Sequence, residues 1–176
     1  MLHLAAAAEE AGGVVVALIG GGARSGKSRF AREYAERRFE RPTLVATAQA
    51  LDEEMAQRIA RHRAERSARW GTIEEPVEIV AAMAREADRY DGFVVDCLTL
   101  WLSNVHPGED GIERLVEGLA GGPPVVLVTN EVGCGIVPDN ELARRFRDLA
   151  GILNRRCAEV AQEVYWMAFG IPVRVK

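Results

Sequence analysis

A chain of 176 residues, 48% hydrophobic and 27% charged, carries enough apolar side chains for one sizeable core. Its formal net charge of −4 argues against a nucleic-acid partner, which usually selects a basic surface, and no apolar run approaches the ~20 residues needed to span a bilayer. The opening "MLHLAAAAEEAGG" has neither the basic start nor the apolar centre of a secretory signal. Residues 1–13 are therefore expected to form a fraying extension ahead of a single domain, 14–176. Cys97, Cys134 and Cys157 are odd in number and widely spaced, which suits neither a disulfide framework nor a zinc site. A reduced, cytoplasmic protein is the expectation.

In chain order, "VVVALIG" (14–20) reads as a buried strand because it is β-branched, apolar and closed by glycine. Residues 27–39 show helical spacing of Phe30 and Tyr34 and of Ala31 and Ala35, and "PTLVATA" (42–48) is a second strand. Residues 51–70 read as a charged helix with a thin apolar stripe at Met55 and Ile59. "GTIEE" is a short strand, and 76–90 an amphipathic helix opened by Pro76. "GFVVD" (92–96) and "PVVLVTN" (124–130) are strands with polar ends, separated by loops at "NVHPGEDG" and "AGGPP". Residues 139–162 form a long helix with an Asp or Asn cap, and two strands, "EVYWMAF" and "PVRVK", close the chain. Strands alternating with helices predict an α/β fold, a parallel sheet of about seven strands with helices on both faces.

Gly21–Ser28, "GGARSGKS", fits G-x-x-x-x-G-K-[ST] and lies between a strand and a helix, where a phosphate loop belongs. Glycines let successive N–H groups turn toward phosphate oxygens, and the helix N-terminus adds positive potential. In that reading Lys27 reaches the β/γ-phosphates and the Ser28 hydroxyl ligates Mg²⁺. The fold is then of the P-loop NTPase kind. The second Mg²⁺ ligand is expected at a strand end: Asp96 first, Glu131 second. No Asn-Lys-x-Asp guanine-reading motif is present, which argues against a GTPase switch.

"RIARHRAERSARW" (58–70) sets five arginines around His62, and Glu54, Arg58, His62 and Arg66 share one helix face. Such a face is either a solvated, salt-bridged surface or an anion site. In the second case neighbouring positive charge keeps the imidazole neutral, as a phosphoryl-accepting nucleophile must be.

These motifs resemble the bifunctional adenosylcobinamide kinase/adenosylcobinamide-phosphate guanylyltransferase family. The resemblance rests on 21–32, "VATAQALDEEMAQRIARHRAER" (45–66), 70–76, "VVDCLTLWLSN" (94–104), 126–161 and the ending "GIPVRVK". It implies that the γ-phosphate of ATP or GTP passes to the hydroxyl of adenosylcobinamide. GMP from GTP then passes to the new phosphate through a GMP–histidine intermediate, giving adenosylcobinamide-GDP and pyrophosphate. His62 matches the family histidine; the preceding position is Arg61, so only His62 is available. The family's nucleotide contacts fall on Gly21, Gly22, Ala23, Arg24, Ser25, Gly26, Lys27 and Ser28. They continue on Ala46, Thr47 and Ala48, on Arg63, Ala64, Glu65 and Arg66, and on Glu74 and Asp96. The resemblance further implies a homotrimer and a mixed, mostly parallel sheet, and leaves 105–123 as a short, loop-like departure. A monofunctional P-loop small-molecule kinase and a non-catalytic nucleotide-sensing module are the competing functions.

Overall fold

In the computed structural model, residues 16–49, 53 and 69–176 are described; the expected extension 1–13 and most of the arginine-rich helix, His62 included, lie outside them. Seven strands make one sheet: β1 (Val16–Gly21), β2 (Pro42–Ala46), β3 (Gly71–Glu74), β4 (Gly92–Asp96), β5 (Val125–Val128), β6 (Glu163–Ala168) and β7 (Ile171–Arg174). Their order is β3-β2-β4-β5-β1-β6-β7. All neighbours are parallel except the β6–β7 hairpin.

The central strands are apolar along most of their length because helices cover both faces. On one face Ala17, Ile19, Val94, Val126 and Val128 pack with Ala31, Tyr34 and Ala35 of α1 (Lys27–Arg38). On the other, Val16, Leu18, Phe93, Val95, Val125 and Leu127 meet four helices. These are α2 (Ile79–Arg85), α3 (Leu98–Val105), α4 (Glu109–Ala120) and α5 (Glu141–Val160). Asn140 caps α5 as expected, its side chain accepting from the Ala143 N–H at 2.8 Å.

Two expectations are corrected. The segment 105–123 is not a loop: it holds α4, whose Ile112, Leu115, Val116 and Leu119 repeat at helical spacing and are buried. Its glycines disguise it. Gly118 sits where α4 crosses α2, and a Cβ there would stand 2.9 Å from Val80 Cγ1, so the residue type records a close helix contact rather than a turn. The helix expected over 76–90 is shorter. The Glu75 carboxylate accepts the N–H groups of Val77 and Glu78 at 3.1 and 2.9 Å, holding Pro76–Glu78 as a turn, and α2 begins only at Ile79.

Candidate active site

β1 ends in Gly21 and the chain turns through residues 22–26 into α1, with Gly26 in the left-handed conformation at the helix start. Gly21 has φ +146°, and a Cβ there would meet Met167 Cβ at 3.0 Å and Ser25 Oγ at 3.1 Å, so a side chain would be strained in conformation and crowded by its neighbours. Arg24 also takes a left-handed φ of 55°, which lets the loop close on itself. Lys27 is buried, at 7% exposure. Its ammonium donates to the Gly22 carbonyl and lies 3.4 Å from Ser25 Oγ. The amine thus stands inside the curl of the loop, where a bound phosphate would meet it. Ser28 follows at the second position of α1, which packs across β4 and β5.

The strand register assembles the other candidates. Ala46 pairs with Glu74 on one side and with Asp96 on the other; Asp96 pairs with Val128, and Val128 with Ile19. Glu74, Ala46 and Asp96 therefore lie in one row along the carboxyl edge of the sheet, ending beside the loop. At about 4.8 Å per strand, the row from β3 to β1 spans roughly 19 Å, the scale of an extended nucleotide. Ligands collect at this edge in open parallel sheets.

Thr47, just past β2, turns its hydroxyl inward. It accepts the Cys97 N–H at 2.7 Å and donates to the Cys97 carbonyl at 2.8 Å. The Thr47 carbonyl in turn accepts Asn104 Nδ2 at 2.8 Å. This side chain ties the ends of β2 and β4 together, while Ala46 and Ala48 flank it at the edge. Burial, and next the Asp96 carboxylate, push the Cys97 thiol above its ordinary value, so it stays protonated at neutral pH.

Glu131, the second candidate carboxylate, is fixed by residues to which the sequence reading gave no role. Its N–H donates to the Gly21 carbonyl at 3.2 Å, coupling it to the phosphate loop. Its Oε1 accepts Asn154 Nδ2 at 2.8 Å, and Asn154 Oδ1 accepts the Thr129 hydroxyl at 2.6 Å. Thr99 Oγ1 accepts the Asn130 N–H at 2.9 Å. Thr99, Thr129 and Asn154 thus make a polar brace beneath the site. The sequence signals for it are a pair of polar residues, Thr129-Asn130, ending an otherwise apolar strand, and the place of Thr129, Asn130 and Asn154 in the matching segment 126–161. His62, Arg63, Ala64, Glu65 and Arg66 lie outside the described residues, so the phosphate loop and the Glu74–Ala46–Asp96 row are the parts of the expected site that the structure brings to one edge.

The family model for cobinamide kinase / cobinamide phosphate guanyltransferase matches residues 17–175. The bifunctional adenosylcobalamin biosynthesis protein CobP of Pseudomonas aeruginosa is 45% identical over 166 residues, 90% of this chain and 96% of that one. The bifunctional adenosylcobalamin biosynthesis protein CobU of Salmonella typhimurium is 38% identical over 179 residues, 90% of this chain and 98% of that one. Among solved structures, one from Pyrococcus horikoshii OT3 superimposes with a TM-score of 0.53 at 11% identity, over 93% of this chain and 87% of that one, a likeness of fold alone.

Proposed function

Since the chain belongs to the cobinamide kinase/cobinamide phosphate guanyltransferase family, we propose that it carries out both reactions the family description names. It phosphorylates adenosylcobinamide with ATP or GTP, and it transfers GMP from GTP to adenosylcobinamide phosphate, giving adenosylcobinamide-GDP and pyrophosphate. The observation that carries this reading is the family match from 17 to 175, which includes the phosphate loop with Lys27 inside its curl.

In the first reaction the loop amides and Lys27 hold the triphosphate, and the acceptor hydroxyl takes the γ-phosphoryl group. Positioning and charge neutralisation are most of what this chemistry requires. Among the described residues no group of three or more His, Cys, Asp or Glu converges on a metal. Mg²⁺ is commonly held by substrate phosphates and one or two protein oxygens. Ser28 and Asp96 are the proposed ligands, with Glu131 the alternative to Asp96. When bound, Mg²⁺ would neutralise charge on the phosphates.

The second reaction attacks a different phosphorus and uses a nucleophile, His62. A neutral imidazole nitrogen bonds to the α-phosphorus of GTP as the bond to pyrophosphate breaks. An oxygen of the acceptor phosphate then bonds to the same phosphorus as the P–N bond breaks, restoring the histidine. Arg63, Ala64, Glu65 and Arg66, the next four residues of the sequence, together with Ala46, Thr47, Ala48, Glu74 and Asp96, are the proposed nucleotide contacts.

The proposed assembly is a homotrimer. A row of exposed apolar residues on the β6–β7 hairpin and the tail beyond it, Trp166, Phe169, Ile171, Val173 and Val175, supports self-association there. A cytoplasmic location fits three free cysteines, and no described helix is long and apolar enough to cross a membrane.

Incubation with α-labelled GTP tests the reading. The wild-type chain should acquire label that is acid-labile and base-stable, as a P–N bond is, and γ-labelled GTP should leave none. His62→Ala should lose the label and guanylyl transfer but keep much of the kinase activity. Label retained in that variant would exclude His62 as the nucleophile, and phosphorylation of the hydroxyl without any guanylyl transfer by the wild type would leave a monofunctional kinase.

A further inference from the structure

One face of α3, with its cap, is bonded to the ends of two other strands. Cys97, Trp101 and Asn104 are spaced i, i+4, i+7 from the cap onward. The Cys97 N–H and carbonyl engage the Thr47 hydroxyl at 2.7 and 2.8 Å, just past β2. Trp101 Nε1 donates to the Val77 carbonyl at 2.8 Å, beyond the end of β3. Asn104 reaches both strand ends. Its Nδ2 donates to the Thr47 carbonyl at 2.8 Å and to the Pro76 carbonyl at 3.1 Å. A side-chain amide carries two N–H donors and no charge, so it can serve two neutral carbonyls at once.

These carbonyls lie within or beside the proposed nucleotide contacts. Thr47 sits between Ala46 and Ala48, and Pro76 follows Glu74 by two positions. Thr47 is 0% exposed, and its N–H donates to the Asp96 carbonyl at 3.3 Å, so its N–H, hydroxyl and carbonyl are all engaged with the protein. What the stretch 46–48 offers a nucleotide is therefore decided by where its backbone is held. After Glu74, the Glu75 N–H donates to the Ala46 carbonyl at 3.0 Å, and the turn over Pro76–Glu78 follows. Asn104 and Trp101 grip that turn from α3. In the strand order β2 is three places from β1, roughly 14 Å at about 4.8 Å per strand. The clamp thus stands away from Lys27 and the phosphate loop, at the end of the row that would take the nucleoside rather than the γ-phosphate.

We propose that Asn104 is a positioning residue for guanylyl transfer. By holding the ends of β2 and β3 together it sets the place of Ala46, Ala48 and Glu74, and through them the place of the nucleotide's α-phosphate. This rests on the proposed function. The kinase reaction moves the γ-phosphoryl group, which the loop and Lys27 hold directly. Guanylyl transfer needs the α-phosphorus aligned with the His62 nitrogen, and a misplacement of about 1 Å is enough to slow such a step greatly.

The test compares wild type, Asn104→Asp and Asn104→Gln. Asn104→Asp keeps the shape and removes both donors, whereas Asn104→Gln keeps the donors on a longer arm. Single-turnover transfer of label from α-labelled GTP to protein should slow about ten- to a hundredfold in Asn104→Asp and recover in part in Asn104→Gln. Phosphorylation of adenosylcobinamide by ATP should stay within about threefold of wild type in both. Circular dichroism checks folding. If Asn104→Asp does not fold, Trp101→Phe decides, since it removes a single N–H donor from the same brace; the same split between the reactions is expected, in smaller measure. In a folded variant, equal losses in both reactions, unchanged rates in both, or labelling at the wild-type rate with slow transfer to the acceptor would overturn the proposal. So would an Asn104→Gln variant no faster than Asn104→Asp. A wild-type chain that phosphorylates adenosylcobinamide but takes no α-label would refute the functional reading itself, a result independent of every variant.

Discussion

Asn154 donates Nδ2–H to Glu131 Oε1 at 2.8 Å and to the Asn130 carbonyl at 3.2 Å, while its Oδ1 accepts the buried Thr129 hydroxyl at 2.6 Å. One amide thus satisfies three polar groups between α5 and the end of β5. Asn154→Ala would leave the Thr129 hydroxyl, 1% exposed, without that partner. The expected loss of stability is about 1–3 kcal/mol, read by urea unfolding. Combined with Thr129→Val the losses should be less than additive, because the two residues share one bond. Strict additivity would show that the bond contributes nothing.

Lys27 lies within the phosphate loop, and one loop serves both reactions in the proposed scheme. Lys27→Ala should abolish kinase activity and severely weaken guanylyl transfer. Because Lys27 is a buried residue of α1, circular dichroism should accompany the assay to show that the variant folds. Ordinary kinase turnover in a folded variant would remove the lysine from the triphosphate site.

Asp96 and Glu131 compete for one role. Asp96 ends β4 in register with Val128, and Glu131 hangs from the loop through the Gly21 carbonyl. Asp96→Asn is expected to fold and to lose Mg²⁺-dependent turnover, with partial rescue at high Mg²⁺. If Asp96→Asn turns over normally at ordinary Mg²⁺ and Glu131→Gln does not, the metal ligand is Glu131.

Glu163 opens β6 at the opposite end of the strands, 5% exposed. Burial by itself pushes its carboxyl up. Hydrogen bonds from Tyr165 at 2.7 Å and Tyr34 at 2.9 Å, with Arg38 at 2.7 Å, outweigh burial and hold it below its ordinary value of 4.5. A carboxyl depressed on folding stabilises the protein above its unfolded pKa, and that contribution disappears as pH falls through the folded value. Glu163→Gln should therefore be less stable than wild type at pH 7, and the gap should narrow as the solution is acidified below about pH 4.5. A gap in urea midpoint that stays constant from pH 7 to pH 3 would contradict the charge argument. The same residue raises the pKa of both tyrosines, after burial, so neither titrates near neutrality.

The phosphate loop was legible in the sequence because its physics is local. Glycines at 21 and 26, a lysine at 27 and a hydroxyl at 28 prescribe a turn into a helix whatever surrounds them. The strands were legible as well, since burial on both faces leaves continuous apolar runs such as Val16–Ile19 and Val125–Val128. Where local signals conflicted with packing, packing prevailed: the Gly/Pro-containing stretch 104–111 suggested a loop, and the buried face of α4, which begins at Glu109, made a helix. The neighbours of each strand are another matter. Glu74, Ala46 and Asp96 become one row only through backbone pairing of Ala46 with residues 28 and 50 positions away, and no residue in any of those strands encodes its partner's register. The Asn154–Glu131 bond likewise depends on α5 lying back across the sheet. The sequence by itself determined which residues could hold phosphate; the tertiary structure decided which carboxylates stand beside them, because hydrogen-bond pairing and helix packing are non-local.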